Sequence, residues 1–385
     1  MAILTLSQAD AALKKYYLDA VKEQIDTQAG PFYTAIEKST NDVYGKNVVK
    51  LVRPGINGGM AACAEDGDLP TADANKYIEF TTPLKNLYGT IEITDKAIRA
   101  SKDNSGAVVN LLNAEMESLV KSANYNFSRM LFGDGKGTLA TVSSATNSVV
   151  TVDSARNIEQ GMIIDFNVSG EDGYNNLKIT EVDKEKNTFS VFGKTFDSTK
   201  VSKAKITLHN TKDELTGLEA IFATSGSLYG VSKSNKYMVP YIQTSVGAIT
   251  EAKIQETIDA IEMRSGSRIN MILCSFDTRR AVKKALSANN VMMPALELQG
   301  GYKAISYNGI PVVADRFCPA GYIYFLNTDD FELHQLCDWE WLQGENGEIL
   351  KQVPGKAVYT ATLVKYAELM CTRPGGQGLL KGVTG

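Results

Sequence analysis

The spacing of apolar residues changes several times along the chain, and each change marks a different element. Between Ser7 and Ile25 they fall at Ala11, Leu13, Tyr17, Leu18, Val21 and Ile25, mostly three or four apart, which predicts an amphipathic helix ended by Gly30-Pro31. Val43 to Arg53 and Tyr77 to Leu84 read instead as strands, with Pro54, Gly55, Gly58, Gly59 and Gly67 between them. This predicts a long hairpin with a glycine-rich, polar end. A two-stranded ribbon cannot bury a face against itself, so it needs a surface supplied by something else.

The clearest helical pattern runs from Ser105 to Phe132, with Val108, Leu112, Met116, Leu119, Ala123, Phe127 and Met130 on one stripe and Gly133 as the stop. Asn110, Asn113, Glu117, Lys121 and Asn124 occupy the other face. The expected helix, about 40 Å long, lies across the outside of a sheet. From Gly137 to Asn210 the texture becomes short β-prone runs: Ser148 to Val152, Met162 to Phe166, Leu177 to Val182, Thr188 to Phe192 and Lys205 to Leu208. Near-regular short strands predict a small antiparallel barrel or sandwich.

Helical spacing then resumes. Thr250 to Met263 places Ile254, Ile258 and Ile261 on one side, the apolar strand Ile269 to Cys274 follows, and Asp277 to Leu286 is a basic helix, giving a unit of α/β character. Tyr307 to Ala314 and Gly321 to Leu326 read as further strands, and Ala357 to Met370 as a long closing strand. The glycine-rich stretch from Pro374 onward is expected to be mobile unless a neighbour holds it.

Composition narrows the function classes. The 385 residues can hold two or three domains, and 43% hydrophobic with 22% charged residues is ordinary globular composition. A net charge of -4 argues against a dedicated nucleic-acid-binding domain, which would carry excess Lys and Arg to displace phosphate counterions. Cys63, Cys274, Cys318, Cys337 and Cys371 are scattered and lack CxxC spacing, so neither a disulfide framework nor a zinc knuckle is expected, and a reducing cytoplasm fits. No apolar run approaches the length of a membrane-spanning helix, and no membrane partner is expected.

Candidate chemistry is sparse. His209 and His334 are the two histidines, too few for a histidine-rich metal site or a catalytic triad, and both are expected in structural roles. Gly133 to Thr138 lacks phosphate-loop spacing and follows a helix, so it reads as a stop and linker. Arg279, Arg280, Lys283 and Lys284 form a basic helix face, a solvated or intersubunit surface with non-specific DNA contact as the alternative. Glu65, Asp66 and Asp68 mark a polar hairpin end. Lys46, Lys50 and Arg53 on the opposing strand read as solvated charges, or as partners for carboxylates of an adjacent subunit. No catalytic residue, metal ligand or cofactor is expected.

The order of these parts, with the phrases Leu87-Tyr88-Gly89-Thr90-Ile91-Glu92-Ile93-Thr94-Asp95 and Tyr307-Asn308-Gly309-Ile310-Pro311-Val312-Val313, resembles the tailed-bacteriophage major capsid protein family of the Hong Kong 97 type along nearly the whole chain. The resemblance implies an α+β fold: an N-terminal arm (1–40), an extended hairpin loop (41–84) and a peripheral domain with a spine helix (85–136). An axial domain (211–338), a return to the peripheral domain (339–372) and a flexible tail (373–385) would follow, with residues 137–210 as an inserted β-rich domain that departs from the minimal family pattern. It further implies a non-enzymatic subunit forming pentamers and hexamers of an icosahedral shell, assembled in the host bacterial cytoplasm and ending in the virion. Scaffolding, portal and decoration proteins and packaged double-stranded DNA would be its partners. An encapsulin-like shell protein enclosing a cargo enzyme is the alternative. A Lys-to-Asn cross-link occurs in some members, but nothing in the sequence identifies its partner Asn.

Overall fold

The computed structural model describes residues 30–40, 43–45, 47–96, 105–168, 172–288, 295–297, 303–344 and 347–384; the helix expected over Ser7 to Ile25 lies outside them. A five-stranded sheet is organised around the long strand Val358–Cys371. On one side it pairs antiparallel with Lys85–Thr94, in an unbroken register from Thr94 opposite Val358 to Lys85 opposite Ala367. On the other it pairs with Phe331–Trp341 and the short Lys351–Gln352, and Glu37–Ser39 adds a parallel edge. Only Leu84 separates Lys85–Thr94 from Ile78–Pro83, the returning strand of the hairpin. Ile78–Pro83 pairs antiparallel with Asn47–Val52, so the hairpin is a direct extension of a sheet strand.

The long helix, Ser105–Met130, crosses this sheet: a Cβ added at Gly89 would stand 2.9 Å from Leu119 Cδ1. Met116, Val120, Phe127 and Met130 enter the main core with Leu87, Leu363, Trp339 and Trp341, while Glu117 and Lys121 stay exposed. The side chains of Val108, Asn110, Leu112 and Asn113 lie outside the described ones. Asn124 departs from the expected polar face and is buried, as are Ser128 and Arg129. The segment after the barrel covers the end of the helix. There Arg129 donates to both carboxylate oxygens of Glu214, at 2.9 and 2.5 Å, with the two side chains 1% and 3% exposed.

Residues 140–208 close a six-stranded barrel in the order Thr188–Val191, Val149–Val152, Ala140–Thr146, Lys205–Leu208, Ile163–Asn167, Leu177–Asp183. It has its own core, including Val150, Ile164, Phe166, Ile179, Phe189 and Ile206. Its first and last strands pair with each other, so the chain enters and leaves at one place.

A seven-stranded sheet follows, ordered Tyr241–Gln243, Gly378–Leu380, Ile323–Leu326, Met271–Cys274, Ile310–Ala314, Lys303–Tyr307, Ala295–Glu297. Helices Glu251–Ser265 and Phe276–Ala288 pack on one face through Ile254, Ile261, Val282 and Leu286, against Ile272 and Phe325. Leu273, Tyr324 and Leu326 point the other way, into the main core. Burial on both faces explains why Met271–Cys274 is a continuous apolar run rather than an alternating one.

Two expectations are corrected. The single strand read over Tyr307 to Ala314 is a hairpin, Lys303–Tyr307 with Ile310–Ala314, turning at Asn308 and Gly309, whose φ angles are 48° and 83°. Two consecutive positive φ values suit Asn-Gly and match the twist of the flanking strands. The flexible tail expected over 373–385 is instead largely buried, with Gly378–Leu380 an interior strand of the seven-stranded sheet. The short apolar run Gly-Leu-Leu is held by backbone bonds on both sides.

Truncating Glu214 to Ala strands the Arg129 guanidinium in the interior, and breaking one side of a buried pair costs about 3–5 kcal/mol. The Glu214→Ala subunit is expected to unfold at markedly lower urea than the parent, with an unchanged denaturant slope.

Candidate functional site

The hairpin is the part of this chain that its own core does not account for. Beyond the paired strands Asn47–Val52 and Ile78–Pro83, residues 53–77 form no regular structure, and nearly all are exposed. Ile56 and Met60 are each 93% exposed, Leu69 87%, and Leu51 and Tyr77 more than half. Hydrogen bonds pinch the loop at its neck, where Asn57 Nδ2 donates to the Asp73 carbonyl at 2.8 Å and Gly58 N–H to the Asp73 carboxylate at 3.2 Å. Within residues 60–72 a single turn is closed by a backbone bond from Gly67 to Ala64. A projecting loop with exposed apolar side chains and few internal bonds carries the marks of a contact surface.

The base of the hairpin, by contrast, is tightly seated. Val48 and Phe80, both fully buried, belong to the main core. On one strand Lys50 forms an ion pair with Glu332 of Phe331–Trp341. On the other, Thr81 N–H donates to the Tyr229 carbonyl at 3.0 Å and the Phe80 ring lies 5.8 Å from the Tyr229 ring. Tyr229 sits in the turn between Ser227–Leu228 and Val231–Ser232, with φ at 52° followed by Gly230 at 80°. A bulky aromatic at positive φ is a costly choice. Its hydroxyl donates to the Leu369 carbonyl and accepts from the Cys371 N–H, both at 3.1 Å, so the turn is bolted to the long strand.

Beside these anchors lies a buried polar row. His334 and Glu368 face each other across the strand pair and are both fully buried. His334 Nε2 is 3.4 Å from Glu332 Oε2, the carboxylate that Lys50 holds. Glu368 Oε1 accepts from the backbone N–H of Thr216 at 2.7 Å and of Leu369 at 3.2 Å, while Oε2 is buried with no hydrogen-bond partner among the described residues. Burial pushes the Glu368 carboxyl up to about 7, against the opposing pull of those hydrogen bonds and of Lys85. Further along, Lys365 is buried over the Phe127 and Trp339 rings and donates to Gln335 at 3.0 Å and Asp338 at 2.5 Å. Burial lowers the pKa of Lys365 although Asp338 opposes the shift.

Of the residues expected at subunit contacts, Arg53, Glu65, Asp66 and Asp68 stand exposed on the loop, and Lys46 lies outside the described residues. Lys50 pairs with Glu332 within its own chain, where the hairpin base folds onto the sheet. The basic helix face belongs to the seven-stranded sheet and is not brought to the hairpin. Lys283 and Lys284 are exposed, Arg280 pairs with Asp277, and the Arg279 guanidinium lies 5.7 Å over Phe276. His209 Nδ1 contacts Asp165 at 2.8 Å in the barrel, where hydrogen bonds from Asn176, His209 and Asn210 outweigh the effect of burial and hold the Asp165 carboxyl below its usual range. Tyr229, Glu332 and Glu368 carried no sequence signal beyond ordinary strand and turn composition. Among the described residues no group of three or more His, Cys, Asp or Glu side chains could hold a metal ion.

Replacing Tyr229 with Phe removes the hydroxyl that Cys371 N–H needs, and an unmet buried donor costs about 1–3 kcal/mol. The variant is expected to lose stability of that size in chemical denaturation; an unchanged midpoint would show that this bolt contributes nothing.

No protein-family model matches the sequence, and no curated protein does. Solved structures do. A cyanophage A-1(L) capsid subunit aligns over 93% of both chains with a TM-score of 0.55 at 13% identity. The capsid of a native GTA particle covers 92% of this chain and 90% of its own at a TM-score of 0.49 and 11% identity. An encapsulin complex from Synechococcus elongatus covers 92% and 89% at 0.45 and 11%. At such identity the likeness speaks for architecture: this chain has the α+β fold of a phage capsid protein.

Proposed function

We propose that this chain is the major capsid protein of a tailed bacteriophage, a structural subunit that assembles with copies of itself into pentamers and hexamers of a closed icosahedral shell around double-stranded DNA. The observation that carries this reading is the hairpin: a firmly seated base that projects a loop of apolar side chains which the described residues of its own chain leave exposed. Repeating one heterologous contact around a ring buries such a loop on every copy, and closure of the ring limits growth. The cyanophage likeness supplies the architectural support.

In this reading the five-stranded sheet with the long helix is the peripheral domain, the seven-stranded sheet with its two helices is the axial domain, and the barrel is an insertion. The exposed carboxylates Glu65, Asp66 and Asp68 and the cation Arg53 are the polar rim of the intersubunit contact. The basic face of Arg279, Arg280, Lys283 and Lys284 meets either a neighbouring subunit or DNA phosphates. Scaffolding and portal proteins act during assembly in the host cytoplasm, decoration proteins on the finished virion. An encapsulin-like container is the second reading, and it differs in cargo rather than in the geometry of assembly.

Deleting Pro54 to Ala74 and joining the hairpin strands with a short turn removes the contact loop and leaves the seated base. The deletion is expected to give a folded subunit that runs as a monomer on sizing and shows no shells by negative-stain electron microscopy, where the parent gives closed particles or capsomer rings. Normal particles from the deletion would overturn the clamp role. Protein cargo in place of nucleic acid inside the parent particles would favour the container.

A further inference from the structure

Both strands of the hairpin are anchored to the same short stretch of sheet, beside a buried histidine and carboxyl. Lys50 holds Glu332, two residues from His334 on one strand. Tyr229 carries Phe80 and Thr81 on one side and binds Leu369 and Cys371 on the other, and the Leu369 whose carbonyl it holds donates its own N–H to Glu368. His334 and Glu368 are directly opposed across the pair, and both anchors fall on the three rungs next to theirs.

We propose that this row is a proton-operated seat for the hairpin, in which the uncharged carboxyl of Glu368 keeps the hairpin base closed and its ionisation loosens both anchors. The groups that face Glu368 decide the direction. From its own strand pair come His334 and, beyond it, Glu332, whose charge Lys50 meets. From Lys85–Thr94 comes Lys85, and from the segment after the barrel the Thr216 N–H, two residues beyond the Arg129–Glu214 pair. From the turn comes Tyr229, whose hydroxyl is committed to Leu369 and Cys371. Both backbone donors serve Oε1, and Oε2 has no donor among the described residues. When the proton on Glu368 leaves for solvent, the buried anion therefore has one oxygen unmet. Parting of strands 331–335 and 366–371, or lifting of Tyr229, would hydrate the anion, and either movement takes a hairpin anchor with it. The group's pKa is raised, to about 7, so the folded form holds the proton more tightly than the unfolded form. The seat is thus fully favoured below the ordinary glutamate range and weakens as pH rises toward and through about 7.

The proposal does not depend on whether the subunit builds a shell, because it concerns the hairpin's attachment to its own chain. Hydrogen exchange of the full-length protein read against its Glu368→Gln variant at the same pH tests it, since the intrinsic exchange chemistry cancels in the ratio. Near pH 4, below the ordinary glutamate range, the two proteins are expected to exchange alike. At pH 8.5 the parent is expected to exchange about tenfold faster or more in peptides covering 47–52, 331–335 and 366–371, as a tenfold change in equilibrium corresponds to one pKa unit. Equal ratios at both pH values would overturn the proposal. So would a response confined to 331–335 and 366–371, because the hairpin would then be uncoupled from the proton. Should Glu368→Gln fail to fold, Glu368→Met provides a neutral side chain of similar length for the same comparison. Lys50→Met is the control: it is expected to speed exchange over 47–52 at both pH values while leaving the pH response of 366–371 in place.

Discussion

The antiparallel register between Lys85–Thr94 and Val358–Cys371 joins residues more than 260 positions apart in the chain, and the rest of the molecule is arranged around it. The long strand is flanked on both sides, and a few residues later Gly378–Leu380 takes an interior place in the second sheet. Neither sheet can close before residues 358–380 are present. Non-local strand pairing of this kind costs loop-closure entropy before any contact repays it, which makes the subunit a slow folder relative to a helical bundle of its size. The same pairing sets the aim of the hairpin. With Leu84 alone between hairpin strand and sheet strand, the loop leaves the body along a direction that the sheet already holds.

The fold was legible in the sequence wherever one periodicity persisted for long enough. Met116 to Met130 alternates at helical spacing, and the barrel runs from Ser148 to Leu208 alternate at strand spacing, so both were readable from local pattern alone. Reading failed where a short signal competed with a longer one. Asn308-Gly309 is a strong two-residue turn, yet the apolar residues on either side suggested one continuous strand. Gly378–Leu380 looked like part of a glycine-rich tail, but its glycine is there for contact: a Cβ at position 378 would come within 2.3 Å of Ile261 Cδ1. Composition could not distinguish a glycine that permits mobility from one that permits close packing.

The candidate site was legible in outline and opaque in detail. The exposed loop followed from its glycines and its shortage of apolar partners. The seat did not, because Lys50, Tyr229, Glu332, His334 and Glu368 come from four distant stretches and each is an unremarkable residue in its own stretch. Lys50 in particular sits on a polar strand face that, read locally, faces solvent; it finds Glu332 only because the hairpin base folds over the sheet.

Polar pairs occur at points where parts of the chain leave or cross the body. Arg129 and Glu214 stand where the chain returns from the barrel, Lys50 and Glu332 at the root of the hairpin, and Lys365 with Gln335 and Asp338 where the long helix crosses the sheet. Apolar contact alone would hold these roots with equal or greater strength, because removing charges from water is costly and a buried pair recovers that cost only with good geometry. What apolar contact does not supply is direction, since the hydrophobic effect depends on area and not on angle. A bidentate guanidinium–carboxylate pair fixes both distance and orientation. Stability given up at such a root is exchanged for a fixed angle at which the part leaves the body, and an error of a few degrees at the base of the hairpin would be carried its full length to the tip.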